Sequence, residues 1–217
     1  KMTDTEYATG RPPRRSDGER THAAILESAM RLASIEGLGS LTIGRLAREL
    51  GVSKSGVFAH FRSKERLQQE TIEAARGIFQ REVLTPALSA PEGLQQVEGL
   101  CEAYLSYVER GVFPGGCFFA QLLAEFDAQA GPIHDQVAAD QRGWLTLLAD
   151  QIHTAQRQGE LVAQMDPPQL AFELYGPLEL SNYLFTLNQD PSVISRARNA
   201  VRGIIARAKP PRGDHSG

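Results

Sequence analysis

The sequence has few cysteines and no long apolar stretch, and both scarcities limit what the protein can be. Only Cys101 and Cys117 occur among 217 residues, too few for a disulfide scaffold or a cysteine-rich zinc site. No apolar run approaches the roughly 20 residues that cross a bilayer, and no apolar signal segment precedes the first charged stretch. We therefore expect a cytoplasmic protein with no membrane partner. Two buried free thiols are the simplest interpretation of the cysteines; a redox switch at Cys117 would need an exposed thiolate.

Signatures of catalysis are also missing. The sequence contains no HExxH, no paired ExxH, no GxSxG and no phosphate-binding loop. The five histidines are scattered, and His134 beside Asp135 is a weak pair that is typical of a helix surface. We expect no catalytic residues, no metal ligands and no cofactor.

Basic charge is scarce in the whole chain but concentrated at one end. The net charge is −3, yet residues 1–66 carry 12 Lys and Arg against 8 Asp and Glu, a net charge of +4. The remaining residues carry 11 against 18, a net charge of −7. A basic segment attached to an acidic body is expected when only one end meets the phosphates of a nucleic acid.

Residues 41–64 have the pattern of two short helices joined by a glycine turn. The first helix has apolar residues at i, i+3, i+4 and i+7, which share one face: Ile43, Leu46, Ala47 and Leu50. Gly51 lies where a left-handed turn follows, and Ser53 is placed to cap the second helix. That helix turns Val57 and Phe61 inwards. Its outer face is small, polar and free of acidic residues.

This stretch resembles the DNA-binding domain of TetR/AcrR-family transcriptional regulators. The resemblance extends over roughly residues 20–67, and the matching residues are Thr42, Ile43, Leu46, Ala47, Gly51, Val52, Ser53, Gly56, Phe58, His60, Phe61, Lys64 and Leu67. It implies a three-helix DNA-binding domain followed by a helical domain for ligand binding and dimerisation.

The resemblance also implies roles for individual residues. Thr42 and Lys64 would hold phosphates at helix N-termini, and His60 would contact the DNA backbone. The outer face of the second helix would read base edges. The DNA-binding set is Thr42, Ser53, Lys54, Ser55, Gly56, Phe58, Ala59, His60 and Lys64. For Ser53, the alternative to DNA contact is helix capping alone. For Thr42, we expect helix capping in addition to DNA contact.

Two positions depart from the family pattern. Phe58 stands where family members usually have a tyrosine whose hydroxyl reaches phosphate, so that hydrogen bond is lost. Gly44 removes a side chain that can assist base recognition, and helix interiors disfavour glycine. We therefore expect affinity to depend on Thr42, Lys54 and Lys64, and to fall steeply with salt.

The rest of the chain predicts an all-α fold of about nine helices. The first runs over residues 19–36, and a connector helix capped by Ser63 runs to about Glu82 before Pro86 and Pro91 break it. Further helices are predicted over residues 92–110, 117–127, 131–158, 166–188 and 190–208. The predicted domains are a disordered basic arm (1–18), a helix-turn-helix domain (19–66), a ligand-binding and dimerisation domain (67–208) and a disordered tail (209–217). Arg11, Arg14 and Arg15 of the arm would reach into the minor groove, or simply remain solvated.

Apolar residues near the Gly115-Gly116 turn predict an inner cavity for a ligand. The residues expected to line it are Phe113, Cys117, Phe118, Leu122, Phe126, Trp144, Tyr175 and Phe185, although any one of them is more often core. Polar groups that could orient a ligand are Gln121, Glu125, His134, Gln141 and Asn182.

Two stripes on the last two helices suggest a four-helix dimer interface. They are Leu170, Leu174, Leu178, Ser181 and Phe185 on one helix and Ile194, Ala197, Val201, Ile204 and Ala208 on the other. Packing within one chain is the alternative.

Together these features predict a ligand-responsive transcriptional regulator. The resemblance favours a homodimeric repressor that leaves a pseudo-palindromic, double-stranded operator when a small, largely apolar effector binds. An activator or ligand-independent regulator of the same fold is the alternative, followed by a protein-binding adaptor and an all-α enzyme.

Overall fold

The computed structural model describes residues 17–211, and all regular structure in that range is helical, which confirms the predicted all-α fold. The elements are α1 (Asp17–Glu36), α2 (Ile43–Leu50), α3 (Lys54–Phe61), α4 (Lys64–Phe79), a π-helical segment (Gln80–Leu84), α5 (Thr85–Leu88), α6 (Leu94–Glu109), α7 (Phe118–Phe126), α8 (Pro132–Arg157), α9 (Pro167–Asn188) and α10 (Pro191–Ala208). Because α4, the π segment and α5 are continuous, these residues form nine helical rods. Arg11, Arg14 and Arg15 lie outside the described residues.

The α2–α3 pair forms as its local sequence dictates. The Thr42 hydroxyl accepts a hydrogen bond from the N–H of Arg45 at 3.0 Å and so caps α2. Gly51 ends α2 with φ 67°, a left-handed conformation that residues with a Cβ adopt at a cost. The Ser53 hydroxyl then accepts from the N–H of Gly56 at 3.1 Å and starts α3. Helix α1 packs against α2 and α4 and completes this unit.

The connector rod is longer than the sequence indicated. It was expected to end near Glu82 with a break at Pro86, but helical structure continues to Leu88. Pro86 directly follows the π segment, at the second position of α5. The change in the hydrogen-bond pattern falls instead on the π segment, which precedes the proline. The prediction of a break at Pro86 was therefore wrong.

The second half of the chain is a bundle built around α6 and α9. Helix α9 packs against α8 and α10, α6 packs against all three, and α7 joins α8 to α1. One continuous apolar core runs from α1 to α10. None of the described helices combines the length and apolar character needed to span a bilayer.

The two stripes that suggested a dimer interface are largely buried within the chain. All members of both stripes are buried except Phe185, which is partly buried against the same core. They hold α9 and α10 to one another and to α6, so the alternative of packing within one chain is correct for them. A different face of α9 is free: Phe172, Leu180, Leu184 and Leu187 are all exposed, and Leu187 is 79% exposed.

Candidate nucleic-acid interface and ligand cavity

The outer face of α3 is exposed and carries no acidic side chain. Val57 and Phe61 are fully buried against the rest of the helical unit. The opposite face presents Lys54, Ser55, Gly56, Phe58 and Ala59 to solvent. Phe58 is 51% exposed. A half-exposed aromatic ring is therefore available on a surface made otherwise of small and polar groups.

Positive charge on this unit is partly neutralised and partly free. Arg45 of α2 is paired with Glu36 at 2.5 Å and with Glu49 at 3.1 Å. By contrast, the exposed side chains of Lys54 and Arg62 have no hydrogen bond or ion pair within residues 17–211. Arg62 ends α3 in the left-handed conformation, with φ 64°. It was not among the predicted contacts, because nothing in its neighbourhood along the chain marks it as free.

The predicted phosphate-holding residues already have intramolecular partners. Thr42 caps α2 as described. Ser53, which was predicted as a DNA contact, caps α3. The Lys64 ammonium group donates to the carbonyl oxygen of Gly39 at 2.7 Å and remains exposed. That contact holds its charge beside the segment that leads into α2.

His60 lies at the edge of α3 in a small cluster of rings. Its ring centroid is 5.5 Å from that of His22 in α1, and His22 stacks on Phe61 at 4.7 Å. The Nε2 atom of His22 is 2.7 Å from a carboxylate oxygen of Glu70 in α4. The cluster connects α3, α1 and the connector rod.

A cavity of about 300 Å³ lies between the connector rod and the bundle. Its walls come from α4 and the π segment on one side and from α6, α7, α8 and α9 on the other. The volume is at the lower end of the range for small-molecule sites. π-Helical segments frequently occur at functional sites, and two residues of this one, Gln80 and Leu84, line the cavity.

The cavity walls include three of the eight predicted ligand contacts, Cys117, Trp144 and Tyr175, and the predicted polar residue Gln141. The other five predicted contacts, Phe113, Phe118, Leu122, Phe126 and Phe185, are not among the lining residues. The first four are buried in the core and the last is partly buried against it.

On α7 the residues that line the cavity lie on a different face of the helix from the predicted ones. The stripe Phe118, Leu122 and Phe126 packs into the core, whereas Phe119 and Leu123, one position further along the helix, line the cavity. Successive residues of a helix differ by 100° in direction. Because α7 is apolar on several faces, periodicity could not decide between the two stripes.

The other predicted polar groups serve the fold. The Asn182 amide oxygen accepts from the N–H of Cys117 at 2.6 Å, and the Gln121 amide donates to the carbonyl of Gly115 at 2.9 Å. His134 lies on the surface, with Nδ1 3.1 Å from a carboxylate oxygen of Asp135.

The charged side chains that line the cavity were not predicted. Arg76 of the connector rod pairs with Asp140 of α8 at 2.8 Å. Glu179 of α9 accepts a hydrogen bond from the Tyr104 hydroxyl at 3.4 Å, and its other oxygen is buried without a partner in the described chain. Burial raises the pKa of the Glu179 carboxyl. Among residues 17–211, no cluster of His, Cys, Asp or Glu is suited to hold a metal ion.

Both cysteines are buried free thiols. Burial raises the pKa of Cys117 to about 11 and that of Cys101 to about 12. Each thiol is therefore protonated at neutral pH. This matches the simplest interpretation of the cysteines and not that of a redox switch at Cys117.

Helix α7 also joins the cavity to the DNA-binding unit. One wall of the cavity contains Phe119, Ala120 and Leu123 of this helix. Near its C-terminal end, Glu125 accepts hydrogen bonds from the backbone N–H groups of Leu38 at 2.8 Å and Gly39 at 2.6 Å. These residues lie in the segment between α1 and α2, so one short helix contacts both sites.

A second contact lies at the turn before α7. A Cβ atom on Gly115 would be 1.6 Å from the backbone oxygen of Ser34 in α1. Only glycine permits the backbones to approach so closely. The turn therefore holds α1 and α7 in a fixed relation.

Two family models match the chain. The one described as "Bacterial regulatory proteins, tetR family" matches residues 25–71, and the one described as "Tetracyclin repressor-like, C-terminal domain" matches residues 93–201. Comparison with curated protein sequences yields no match.

Several solved structures share the fold. A TetR transcriptional regulator from Chloroflexus aurantiacus is 20% identical, with a TM-score of 0.80 over 88% of this chain and 96% of that chain. AibR in complex with isovaleryl coenzyme A and operator DNA is 20% identical, with a TM-score of 0.68 over 88% and 98%. A transcriptional regulator from Saccharomonospora viridis in complex with choline is 22% identical, with a TM-score of 0.68 over 87% and 96%.

Proposed function

The chain belongs to the TetR family of bacterial transcriptional regulators, and on this premise we propose that it is a cytoplasmic repressor released from its operator by a small molecule. One observation carries the proposal: the connector rod begins directly after α3 and forms a wall of the cavity further along. A ligand that displaces the rod at the cavity must also move α3, because the rod is a continuous helix.

The DNA contact in this proposal centres on α3. The helix enters the major groove with the acid-free face outwards, so that Lys54, Ser55, Gly56 and Ala59 meet base edges. Thr42, Ser53, Phe58, His60 and Lys64 lie around that face and contact the backbone. We add Arg62, since its charge is exposed and has no partner within the described residues. The boundary to the ligand-binding domain is near residue 66.

The proposed homodimer forms through α9. Its free apolar face, made of Phe172, Leu180, Leu184 and Leu187, is the largest group of exposed apolar side chains on one helix. Such contiguous apolar surfaces are typical of interfaces between proteins. A two-fold axis there would present two α3 helices to half-sites about 34 Å apart, or somewhat more, and so favour a pseudo-palindromic operator.

The proposed effector is a small, mostly apolar molecule. Support comes from the aromatic and aliphatic walls of the cavity and from relatives of the same fold that hold isovaleryl coenzyme A or choline. Those two ligands differ greatly, so the relatives support small-molecule binding in general. The signal passes through the rod and through α7, whose Glu125 contacts the segment before α2.

The test is DNA binding to the region upstream of the protein's own gene. Fluorescence anisotropy should show tighter binding to this duplex than to a scrambled duplex of the same composition at moderate salt. Lys54→Ala should weaken binding to the upstream duplex and reduce the preference for it over the scrambled duplex. Lys64→Ala should weaken binding to both duplexes and reduce the slope of log affinity against log salt by about one, because it removes a phosphate contact. Lys209→Ala is the matched control, because this lysine lies just after α10, near Glu98.

Equal affinity for the two duplexes would exclude a sequence-specific regulator. The sign of regulation needs a second measurement, namely expression of a reporter from the bound promoter in a deletion strain. Expression that rises in the deletion strain supports repression, and expression that falls identifies an activator.

A further inference from the structure

The cavity contains a buried carboxyl group that has no basic partner among the described residues. Glu179 lines the cavity; one of its oxygens accepts a weak hydrogen bond from Tyr104, and the other makes no hydrogen bond within the described chain. The hydroxyl groups of Tyr175 and Tyr183 also lie near this carboxyl group. The one basic residue on the walls, Arg76, is already paired with Asp140 at 2.8 Å. A buried acceptor without a partner costs free energy, and a bound group that donates to it would remove that cost.

Aromatic rings surround the same space. Trp144, Tyr104, Tyr175, Phe79 and Phe119 all line the cavity. The Trp144 ring centroid is 6.1 Å from that of Tyr104 and 5.6 Å from that of Phe79. Faces of aromatic rings attract cations through their quadrupole, and tryptophan does so most strongly. A carboxylate beside such rings is the arrangement that suits an organic cation.

The remaining groups facing Glu179 carry no charge. Burial raises the pKa values of Tyr104, Tyr175, Tyr183 and Cys117, so their hydroxyl and thiol groups stay protonated at neutral pH. The three tyrosine hydroxyls can donate to the carboxyl group but cannot neutralise a negative charge on it. The indole Nε1 of Trp144 is also buried without a partner in the part of the chain described. It is a donor, so it suits an oxygen atom elsewhere on the ligand.

We propose that the cavity binds an organic cation, a protonated amine or quaternary ammonium with an apolar body, through Glu179 and the surrounding aromatic rings. This rests on the proposed function, since it identifies the chemical class of the effector. The cationic head lies against Glu179, and the apolar body fills the space beside the connector rod. An oxygen on the ligand can accept the Trp144 N–H.

Trp144 supplies the probe, because it is the only tryptophan in the sequence and lies in the cavity wall. Its fluorescence can be titrated with three molecules of similar shape. They are (3-hydroxypropyl)trimethylammonium, the uncharged 4,4-dimethylpentan-1-ol in which carbon replaces nitrogen, and the anionic 4,4-dimethylpentanoate. We expect the cation to bind about tenfold or more tightly than the alcohol, and the anion to bind most weakly.

Two variants test whether Glu179 causes the preference for the cation. Glu179→Gln keeps the size of the side chain and removes its charge, so it should reduce the preference for the cation over the alcohol to about twofold or less while leaving the affinity for the alcohol unchanged. Glu173→Gln is the matched control on the same helix. Glu173 interacts with Gln169 and lies 4.0 Å from Arg207, outside the cavity. This variant should bind like the parent protein.

Three results would overturn the proposal: equal binding of cation and alcohol, tightest binding of the anion, or no fluorescence change with any probe at millimolar concentration. A preference for the cation over the alcohol that persists in Glu179→Gln would also overturn the proposal. Operator binding by the same preparation, measured without any probe, decides separately whether the regulator function stands.

Discussion

Replacing Glu125 with glutamine should loosen the contact between α7 and the DNA-binding unit. The two carboxylate oxygens accept hydrogen bonds from the backbone N–H groups of Leu38 at 2.8 Å and Gly39 at 2.6 Å. Glutamine has nearly the same size but offers one acceptor oxygen and one NH₂ group. One backbone N–H would therefore face another donor in place of a charged acceptor.

The magnitude follows from the type of bond that is lost. A hydrogen bond to a charged group contributes about 1.5–3 kcal/mol, and the bond to Gly39 is exposed, which favours the lower value. We expect the free energy of unfolding to fall by about 1.5 kcal/mol. In a protein of this size each kcal/mol changes Tm by about 2–4 °C, so Tm should fall by roughly 3–6 °C.

Two measurements check this prediction. Thermal unfolding by circular dichroism gives the change in Tm. Hydrogen exchange gives the local effect, because the amides of Leu38 and Gly39 lose protection when the contact opens. Asp127→Asn is the matched control, since it removes the same charge from an exposed position two residues away whose side chain makes no hydrogen bond or ion pair with the α1–α2 segment.

The reasoning fails if Glu125→Gln and Asp127→Asn have the same Tm and the same exchange rates at these two amides. In that case the carboxylate would not hold the two units together. A fall in Tm without faster exchange at Leu38 and Gly39 would also count against it, because the loss of stability would then lie elsewhere.

Three further predictions concern the turn, the thiols and the dimer. Gly115→Ala should lower the free energy of unfolding by about 1–3 kcal/mol or more, because the added Cβ would lie 1.6 Å from the backbone oxygen of Ser34. Urea denaturation measures this change, and an unchanged midpoint would contradict the prediction. Cys117 should resist iodoacetamide at pH 7.5 and react in urea, as mass spectrometry can show, since its thiol is buried with a pKa of about 11; rapid labelling of the native protein would exclude this account. Leu180→Glu should convert a dimer to monomers in analytical ultracentrifugation, whereas Ile35→Glu, at an equally exposed position of α1, should not; a dimer that tolerates the first change does not use this face.

The helix-turn-helix unit could be predicted in detail because its signals are local. Thr42, Gly51 and Ser53 act on backbone groups within a few residues of themselves, and the periodicity of Ile43, Leu46 and Ala47 needs no distant partner. The buried faces of α2 and α3 follow directly. The exposed charge of Arg62, unpaired within the described residues, could not be predicted, because whether a charge is paired depends on the acidic residues that folding brings near it.

The ligand cavity could be located only approximately. The sequence indicated its neighbourhood near the Gly115-Gly116 turn, and Cys117, Trp144 and Tyr175 do line it. Its charged groups were missed, since Glu179 lies in α9 and its surroundings come from α6, α7 and α8. Burial, pairing and the choice between adjacent stripes of α7 depend on contacts between helices that are far apart in sequence.

The sequence by itself determined the number of helical rods, the caps around α2 and α3 and the family of the protein, since all of these rest on short-range patterns. Tertiary structure decided which apolar stripes became core and which stayed free. It buried the expected dimer stripes of α9 and α10 and left Phe172, Leu180, Leu184 and Leu187 exposed. It also brought Glu125 to the α1–α2 segment, 86 residues away along the chain. The physical reason is the same in each case: a helix with several apolar faces can pack in several ways, and only its neighbours select one.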